Sequence, residues 1–308
     1  MICWHFARGS LGLNVTESKV SIVIPTYNSA PLLARALRSV LDQTYSNWEA
    51  FVIDNHSSDN TDAVVASFQD VRICLLKTHN QGVIAKSRNI GIRQATGQWI
   101  AFLDADDWWT PEKLERSVVV LKAGADVVYH DLRRAGPRKS WSRRVIRSRR
   151  LQQPVFHDLY WNGNGLLNSS VVVSRKLLCA VDELSENPAL VGAEDFECWL
   201  RLARQSDDFV KLPGIYGYYW IGTGNTSNPK RAITWLAELS KIQEGFESSQ
   251  DISQTPPWMS FALAKANYEL RQFDVARAEV GKLLREAAPL SMKTKAYCLQ
   301  LLIWRSQW

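Results

Sequence analysis

Short β-branched runs and helically spaced apolar residues alternate along the first half of the chain. Val20-Ser-Ile-Val-Ile-Pro25 is closed by proline and reads as a strand. Leu32, Leu33, Ala36, Leu37, Val40 and Leu41 then recur at helical spacing, with Pro31 at the favoured first-turn position. Ala50-Phe-Val-Ile-Asp54 is a second strand, followed by a polar turn over Asn55–Asn60 and a helix over Thr61–Phe68. A third strand over Val71–Leu76 leads to a helix over Gly82–Ala95, which Gly97 closes. Trp99-Ile-Ala-Phe-Leu103 is a fourth strand and runs into Asp104-Ala105-Asp106-Asp107. Pro111 starts a helix to about Lys122, and Asp126–Tyr129 is a fifth strand.

This alternation predicts an α/β fold with a mostly parallel sheet covered by helices on both faces. Ligands of such sheets bind beyond the carboxyl ends of the strands. The polar groups at those ends are Thr26-Tyr27-Asn28, Asp54-Asn55 and the acidic run after Leu103. Although far apart in sequence, the three are expected to meet in one crevice.

Later in the chain, Asn168–Val173 reads as a buried strand, and Glu194–Arg204 as an amphipathic helix with Phe196, Leu200 and Ala203 on one side. Past Arg231 the character changes. Pro256 and Pro257 break the chain, and the spacing from Leu263 to Leu284 predicts a helical hairpin turning near Arg271–Asp274. The expected organisation is an extension over residues 1–18, an α/β domain over 19–230 and a small helical module over 231–308.

Composition narrows the class. Apolar residues make up 46% and charged residues 22% of 308, which excludes a disordered or collagen-like chain. No apolar run approaches the roughly 18 residues of a membrane-spanning helix. The five cysteines are scattered without a CxxC pair, so they read as reduced thiols of a cytosolic protein. Residues 1–18 lack the apolar stretch of a signal peptide.

The net charge of +6 is local in origin. Nine basic residues and no acid lie between Arg133 and Arg150, which leaves a net charge of −3 on everything else. Mutual repulsion predicts a mobile segment that attracts phosphates or an anionic surface; the alternative is a solvated loop without a partner. Trp141 is the one aromatic in the run, so the interleaved stacking groups of single-strand nucleic-acid binding are missing.

Three acids in four positions repel one another unless a cation is near. Hard oxygen ligands of this kind suit Mg2+ or Mn2+, completed by phosphate and water. The structural alternative for Asp104, Asp106 and Asp107 is a helix cap before Pro111, but a cap needs one acid. Asp54-Asn55 suits either an Asx-turn or contact with a nucleobase and ribose, and Asp59 suits a helix cap. Glu194-Asp195 at a helix start matches favourable dipole placement. Gly163-Asn-Gly165 lacks the third glycine of a dinucleotide fingerprint, there is no GxxxxGK[ST] loop, and no GxSxG elbow occurs.

Taken together, Ser21–Asn28, Val52–Thr61, Ser87-Arg-Asn-Ile-Gly91, Gly97–Asp107 and Glu194–Arg201 resemble, in order, the family 2 glycosyltransferases of bacterial type with the GT-A fold. The resemblance runs from Lys19 to Trp220. It implies inverting transfer of a sugar from a nucleotide-diphosphate donor, usually UDP-linked. By position, Pro25, Tyr27 and Asn28 line the nucleoside pocket, Asp54 and Asn55 meet the base, and Arg88 faces the donor. Asp104-Ala105-Asp106 forms the DXD metal-nucleotide motif with Asp107 alongside, and Asp195, next to Glu194, matches the catalytic base. Asn55 replaces a common second acid, which leaves uracil against thymine open. Many members carry a late-loop histidine, and Trp220–Ser227 has none.

The expected function is a metal-dependent transferase using Mn2+ or Mg2+. It moves a sugar to a hydroxyl of a glycan or lipid-linked acceptor in surface polysaccharide synthesis. The expected location is cytoplasmic, at the inner membrane face through Arg133–Arg150, with no nucleic-acid partner. Its rivals are a sugar-nucleotide-binding scaffold and a nucleotidyltransferase. The latter calls for a glycine- and lysine-rich loop that Pro25–Pro31 is not.

Overall fold

The computed structural model describes residues 19–136, 145–222, 228–242, 255–286 and 288–306. The first half follows the alternation. Strand β1 (Val20–Thr26), helix α1 (Ala30–Leu41), β2 (Trp48–Asp54), α2 (Thr61–Ser67), β3 (Ile73–Lys77), α3 (Ile84–Gln94) and β4 (Trp99–Phe102) come in turn. Then β5 (Trp108–Trp109), α4 (Lys113–Lys122), β6 (Val127–Ala135), β7 (Val145–Ile146), α5 (Val155–Asn162), β8 (Val172–Ser174), α6 (Arg175–Ala180), α7 (Glu194–Ala203) and β9 (Phe209–Trp220) complete the α/β body. Helices α8 (Pro229–Lys241), α9 (Pro257–Glu269), α10 (Phe273–Arg285) and α11 (Leu290–Arg305) follow.

The strands form one sheet in the order β3-β2-β1-β4-β8-β6-β9-β5, with β7 added to β6. The β3-β2-β1-β4 half is parallel. Beyond it the sheet is mixed: β8 is antiparallel to both β4 and β6, β6 and β9 are parallel, and β5 is antiparallel to β9. Successive residues of the parallel strands feed two cores. Val23, Ile53, Ile100 and Phe102 face α3, α5 and α7, while Ile22, Ile24, Val52 and Ala101 face α1 and α4. Burial on both faces explains why these strands read as continuous apolar runs. At Gly91 of α3 an added Cβ would meet Ile53 and Val23 at 2.8 Å, so the glycine lets the helix lie close on the sheet.

Register aligns the strand ends that matter. Thr26 pairs with Asp54, and Val23 with Phe102. The backbone amide of Leu103 still bonds Val23 O at 3.1 Å, so the acids after β4 leave the sheet on the side where β1 and β2 end. The three polar clusters therefore do open on one side of the sheet.

Three expectations change. Asn168–Val173 is not one strand: Asn168–Ser170 is a 3-10 turn and β8 begins at Val172. The Ser170 hydroxyl and amide both bond Leu167 O, and this local bonding competes with the sheet ladder. Strand β9, which the pattern missed, contains Pro213 and Gly214 (φ +124°), and its register against β6 slips between Lys211 and Ile215, so the breakers mark a bulge and not a strand end. Finally, the basic stretch is tethered on its carboxyl side. β7 pairs with β6, Ser148 Oγ bonds His130 O, and the Arg149 guanidinium pairs with Asp158 and bonds Gly163 O at 2.6 Å. Arg149 is thus a packing residue and not a free cation. Arg133, Arg134, Arg147 and Arg150 are exposed, and Arg138, Lys139, Arg143 and Arg144 lie outside the described residues.

The C-terminal helices are as expected in kind. The α9–α10 hairpin turns through Arg271 (φ +60°), and α9, α10 and α11 bury Ala264, Ala276, Val280, Leu283, Ala296, Leu299 and Ile303 together. Leu236 and Leu239 of α8 and Met259 of α9 instead join the body's core beside Phe196 and Trp199.

Candidate active site

Past β4 the chain turns sharply. Asp107 N bonds Asp104 O at 3.0 Å, and β5 is pinned by Trp109, whose indole donates to Ser169 O at 2.7 Å. This turn fixes the acids in different settings. Asp104 accepts from Asn168 Nδ2 at 3.1 Å and Arg88 Nη2 at 2.8 Å, and its amide donates to Ser169 Oγ at 3.1 Å. Asp107 is buried and accepts from Trp220 N at 2.8 Å. Asp106 is half-buried, and its peptide oxygen accepts from Arg35 Nη2 at 2.6 Å. Among the described residues no side chain hydrogen-bonds the Asp106 carboxylate. Ala105 between them is buried and fills the turn.

These acids are held against their preference. Burial, then the Asp104 charge, raises Asp106 to about 6 and Asp107 to about 8. Tyr219 is pushed up to about 12 by burial and then by the charges of Asp107, Asp104, Asp106 and Asp195.

Helix α3 brings the opposite charge. In Ser87-Arg88-Asn89 each side chain has a task. Ser87 Oγ accepts from Asn80 at 2.9 Å, and Asn89 holds the backbone of Leu184 by two bonds, at 2.8 and 3.1 Å. Arg88 lies between them, buried, with Nη1 donating to Glu194 Oε1 at 2.7 Å and Nη2 to Asp104. Burial alone would lower its pKa, but Asp104 and Glu194 hold it above the ordinary arginine value. The other Glu194 oxygen accepts from Gly192 N at 2.7 Å. Asp195, the next residue of α7, accepts from its neighbour's amide, Phe196 N, at 2.6 Å. Burial and then the Glu194 charge push Asp195 up to about 7, against the pull of Arg88.

The nucleoside side is built from the ends of β1 and β2. Pro25 is buried, Tyr27 is 58% exposed, and Asn28 is left-handed at φ +47°. Asn28 Oδ1 accepts from Ser58 N at 2.8 Å, which ties the two loops together. Asp54 is fully buried, and its carboxylate is taken up by the amide and hydroxyl of Ser57 and by Lys77 at 3.2 Å. Asn55 Oδ1 accepts from Asn80 N at 2.9 Å. Asp59 accepts from Ala30 N at 2.9 Å and Thr61 N at 3.1 Å, serving the starts of α1 and α2.

The structure therefore brings Arg88, Asp104, Asp106, Asp107, Glu194 and Asp195 into one charged cluster, with Tyr27, Asn28 and Asn55 farther along the same edge. It adds groups the sequence did not single out: Arg35, Asn168, Ser169, Tyr219 and Lys77. Arg35 lies between the rings of Trp108 and Trp220, 3.6 and 4.5 Å from their centroids, and so braces the acidic turn. Only the serine and asparagine after Leu167 carried any sequence signal, as polar residues inside a supposed buried strand. The late loop beyond Trp220 lies outside the described residues from 223 to 227.

No three His, Cys, Asp or Glu side chains form a closed metal cage among the described residues. The donor set instead fits a hard cation that takes one or two carboxylates and completes its shell with phosphate and water. Asp106, half-exposed with its carboxylate raised and free of side-chain donors, is the residue suited to that contact.

The fold and site together define a GT-A transferase fold. The glycosyl transferase family 2 profile matches residues 21–179, and the chain belongs to that family. It is 33% identical over 192 residues to the UDP-Glc:alpha-D-GlcNAc-diphosphoundecaprenol beta-1,3-glucosyltransferase WfgD of Escherichia coli, a match spanning 61% of this chain and 71% of that one. It is 34% identical over 101 residues to the putative teichuronic acid biosynthesis glycosyltransferase TuaG of Bacillus subtilis, spanning 32% of this chain and 40% of that protein. The structure of S. aureus TarS 1-349 in complex with UDP-GlcNAc superposes with a TM-score of 0.60 at 17% identity, over 93% of this chain and 89% of that one. The mannosyltransferase PcManGT from Pyrobaculum calidifontis, in complex with GDP-Man and Mn2+, does so with 0.54 at 19% identity, over 94% and 81%. At these identities the structural likeness is one of fold.

Removing Arg88 should show what the cluster costs without it. Arg88→Met leaves Glu194 and Asp104 without their shared cation, and breaking a buried pair in this way costs about 3 kcal/mol or more. Urea denaturation of parent and variant measures it; equal midpoints would show that the bridge contributes nothing to stability.

Proposed function

We propose that this chain is an inverting glycosyltransferase that passes a sugar from a UDP-sugar to a hydroxyl of a glycan or lipid-linked acceptor in cell-surface polysaccharide synthesis. The observation that carries the reading is Arg88, one guanidinium holding the donor-side acid Asp104 and the helix start that carries Asp195. The E. coli relative, whose name specifies a UDP-glucose donor and a diphosphoundecaprenol-linked acceptor, supports the donor and acceptor classes.

In this reading Tyr27, Asn28 and Asn55 meet the nucleoside. Asp54 shapes that pocket through the loop it ties, since its carboxylate is buried. Asp106, with Asp104 beside it, would hold Mn2+ or Mg2+ against the diphosphate, and Asp107 orders the turn through Trp220. Such a cation, when bound, neutralises the charge that grows on the leaving diphosphate. Asp195 accepts the acceptor's hydroxyl proton. The acceptor oxygen bonds the anomeric carbon as the carbon–oxygen bond to phosphate breaks, and UDP leaves with the electron pair. Attack from the face opposite the leaving group inverts the carbon. A carboxylate raised to about 7 is matched to this task, because it is ionised in part at neutral pH yet basic enough to take a proton.

We place the protein at an anionic membrane surface. Arg133, Arg134, Arg147 and Arg150 are exposed, and each such cation contributes on the order of 1 kcal/mol at a charged bilayer. Helix α11 adds outward-facing Leu290, Tyr297, Leu301 and Trp304, and no acid occurs along it. No helix among the described residues is long and apolar enough to cross a membrane.

Three outcomes test these statements. Asp106→Asn should abolish UDP release from UDP-sugars while the fold survives, and EDTA should mimic it; full turnover in EDTA would remove the cation from the account. Asp195→Asn should retain UDP binding and lose roughly 10²–10⁴-fold in rate. Because the base must be ionised, the parent's rate should fall as pH drops through about 7 and level off above it. A pH-independent rate, or an inactive Glu194→Gln beside an active Asp195→Asn, would move the base elsewhere. Arg133→Gln, Arg134→Gln, Arg147→Gln and Arg150→Gln together should release the protein from phosphatidylglycerol vesicles, and unchanged sedimentation would contradict the membrane placement.

A further inference from the structure

A cavity of about 390 Å³ lies between α8 and α9. Its size falls in the range of small-molecule sites. Tyr219 and Gly192 form part of its lining. Both adjoin the acids along the chain: Gly192 donates its amide to Glu194 at 2.7 Å, and Tyr219 precedes Trp220, whose amide donates to Asp107 at 2.8 Å. Gly192 has φ +95° and nothing within 4 Å of where a Cβ would stand, so the backbone here is open toward the space beside it.

Strand order says which substrate this space can serve. The nucleoside groups end β1 and β2, the acids follow β4, and the cavity adjoins the end of β9, beyond β8 and β6 in the sheet. A donor laid from β2 toward Asp104 has its sugar near the acids and its nucleoside away from the cavity. What enters between α8 and α9 approaches Asp195 from the other side.

The lining gives the chemistry. Trp235 offers a half-exposed indole backed by Trp258, whose ring centroid is 6.4 Å away, and an indole face packs on the C–H face of a sugar ring. Ala232 and Ala262 leave the room. Arg231 is exposed and has no hydrogen bond or ion pair among the described residues, while Lys265 stands 3.5 Å from Glu269 in a loose pair. The wall therefore carries a net positive charge that an uncharged sugar would not need and a phosphate would.

We propose that this cavity is the acceptor subsite, and that it takes a sugar bearing a phosphate or diphosphate, with Trp235 under the ring and Arg231 and Lys265 at the anionic group. The proposal rests on the transferase reading above. Its consequence is that the C-terminal helices select the acceptor, while the α/β body handles the donor.

Calorimetric titration of the full chain, first with UDP and Mn2+ and then, with UDP saturating, with octyl α-D-N-acetylglucosaminyl diphosphate, tests it. The parent should bind the probe. Arg231→Gln with Lys265→Gln should weaken probe binding about tenfold, as expected for losing charge-assisted contacts in an open site, without changing UDP binding. Ala232→Phe, which fills the cavity, should remove it. Free N-acetylglucosamine should bind more weakly than the probe and equally to parent and charge variant. If parent and variants bind the probe alike, or the parent binds UDP but not the probe, the cavity is not this subsite. If the parent fails to bind UDP in the first titration, the donor reading falls and this proposal with it.

Discussion

The site depends on one buried cation. Arg88 is buried, so it needs Asp104 and Glu194; those carboxylates, crowded by Asp106, Asp107 and Asp195, need it equally. Neither side is stable without the other. Because Arg88 comes from α3, Asp104 from the end of β4 and Glu194 from the start of α7, satisfying the charges also fixes three elements relative to one another. The same cation limits how far the neighbouring acids are raised. Asp195 feels burial and Glu194 upward and Arg88 downward, and settles near neutrality.

The sheet distributes the rest. Its parallel half ends in the loops of Tyr27 and Asn55, which Asn28 and Asp54 lock together through Ser57 and Ser58. Its mixed half returns β9 beside the acids, where Trp220 N caps Asp107 and Tyr219 lines the space between α8 and α9. The change from parallel to mixed pairing at β4 and β8 is where the acids sit, so the charged cluster lies between a nucleoside end and the cavity end.

Much of this was legible in the chain because its signals are local. The parallel strands announce themselves by β-branched runs buried on both faces, and the acids by their place just after a strand. Ser87-Arg-Asn was legible as a motif but not as a mechanism, since nothing in sequence says that Arg88 meets Glu194 over a hundred positions later. Ser170, a polar residue that bonds locally, was misleading, because it turned a supposed strand into a 3-10 turn, whereas Asp54-Asn55 suited either a local turn or a base contact and Asp54 bonds Ser57 and Lys77. Strand β9 was hidden by Pro213 and Gly214, which ordinarily end strands and here make a bulge. Arg149 looked like one more charge in a basic run because its partner Asp158 lies on a helix the pattern did not show.

The central claim is that the Arg88-bridged cluster holds Asp195 near neutrality, and a carboxyl-carbon NMR titration of Asp195 tests it most directly. The account predicts a midpoint of about 7 in the parent and a lower one in Glu194→Gln, where the neighbouring negative charge is gone. A midpoint in the ordinary carboxylate range, unmoved by Glu194→Gln, would contradict it.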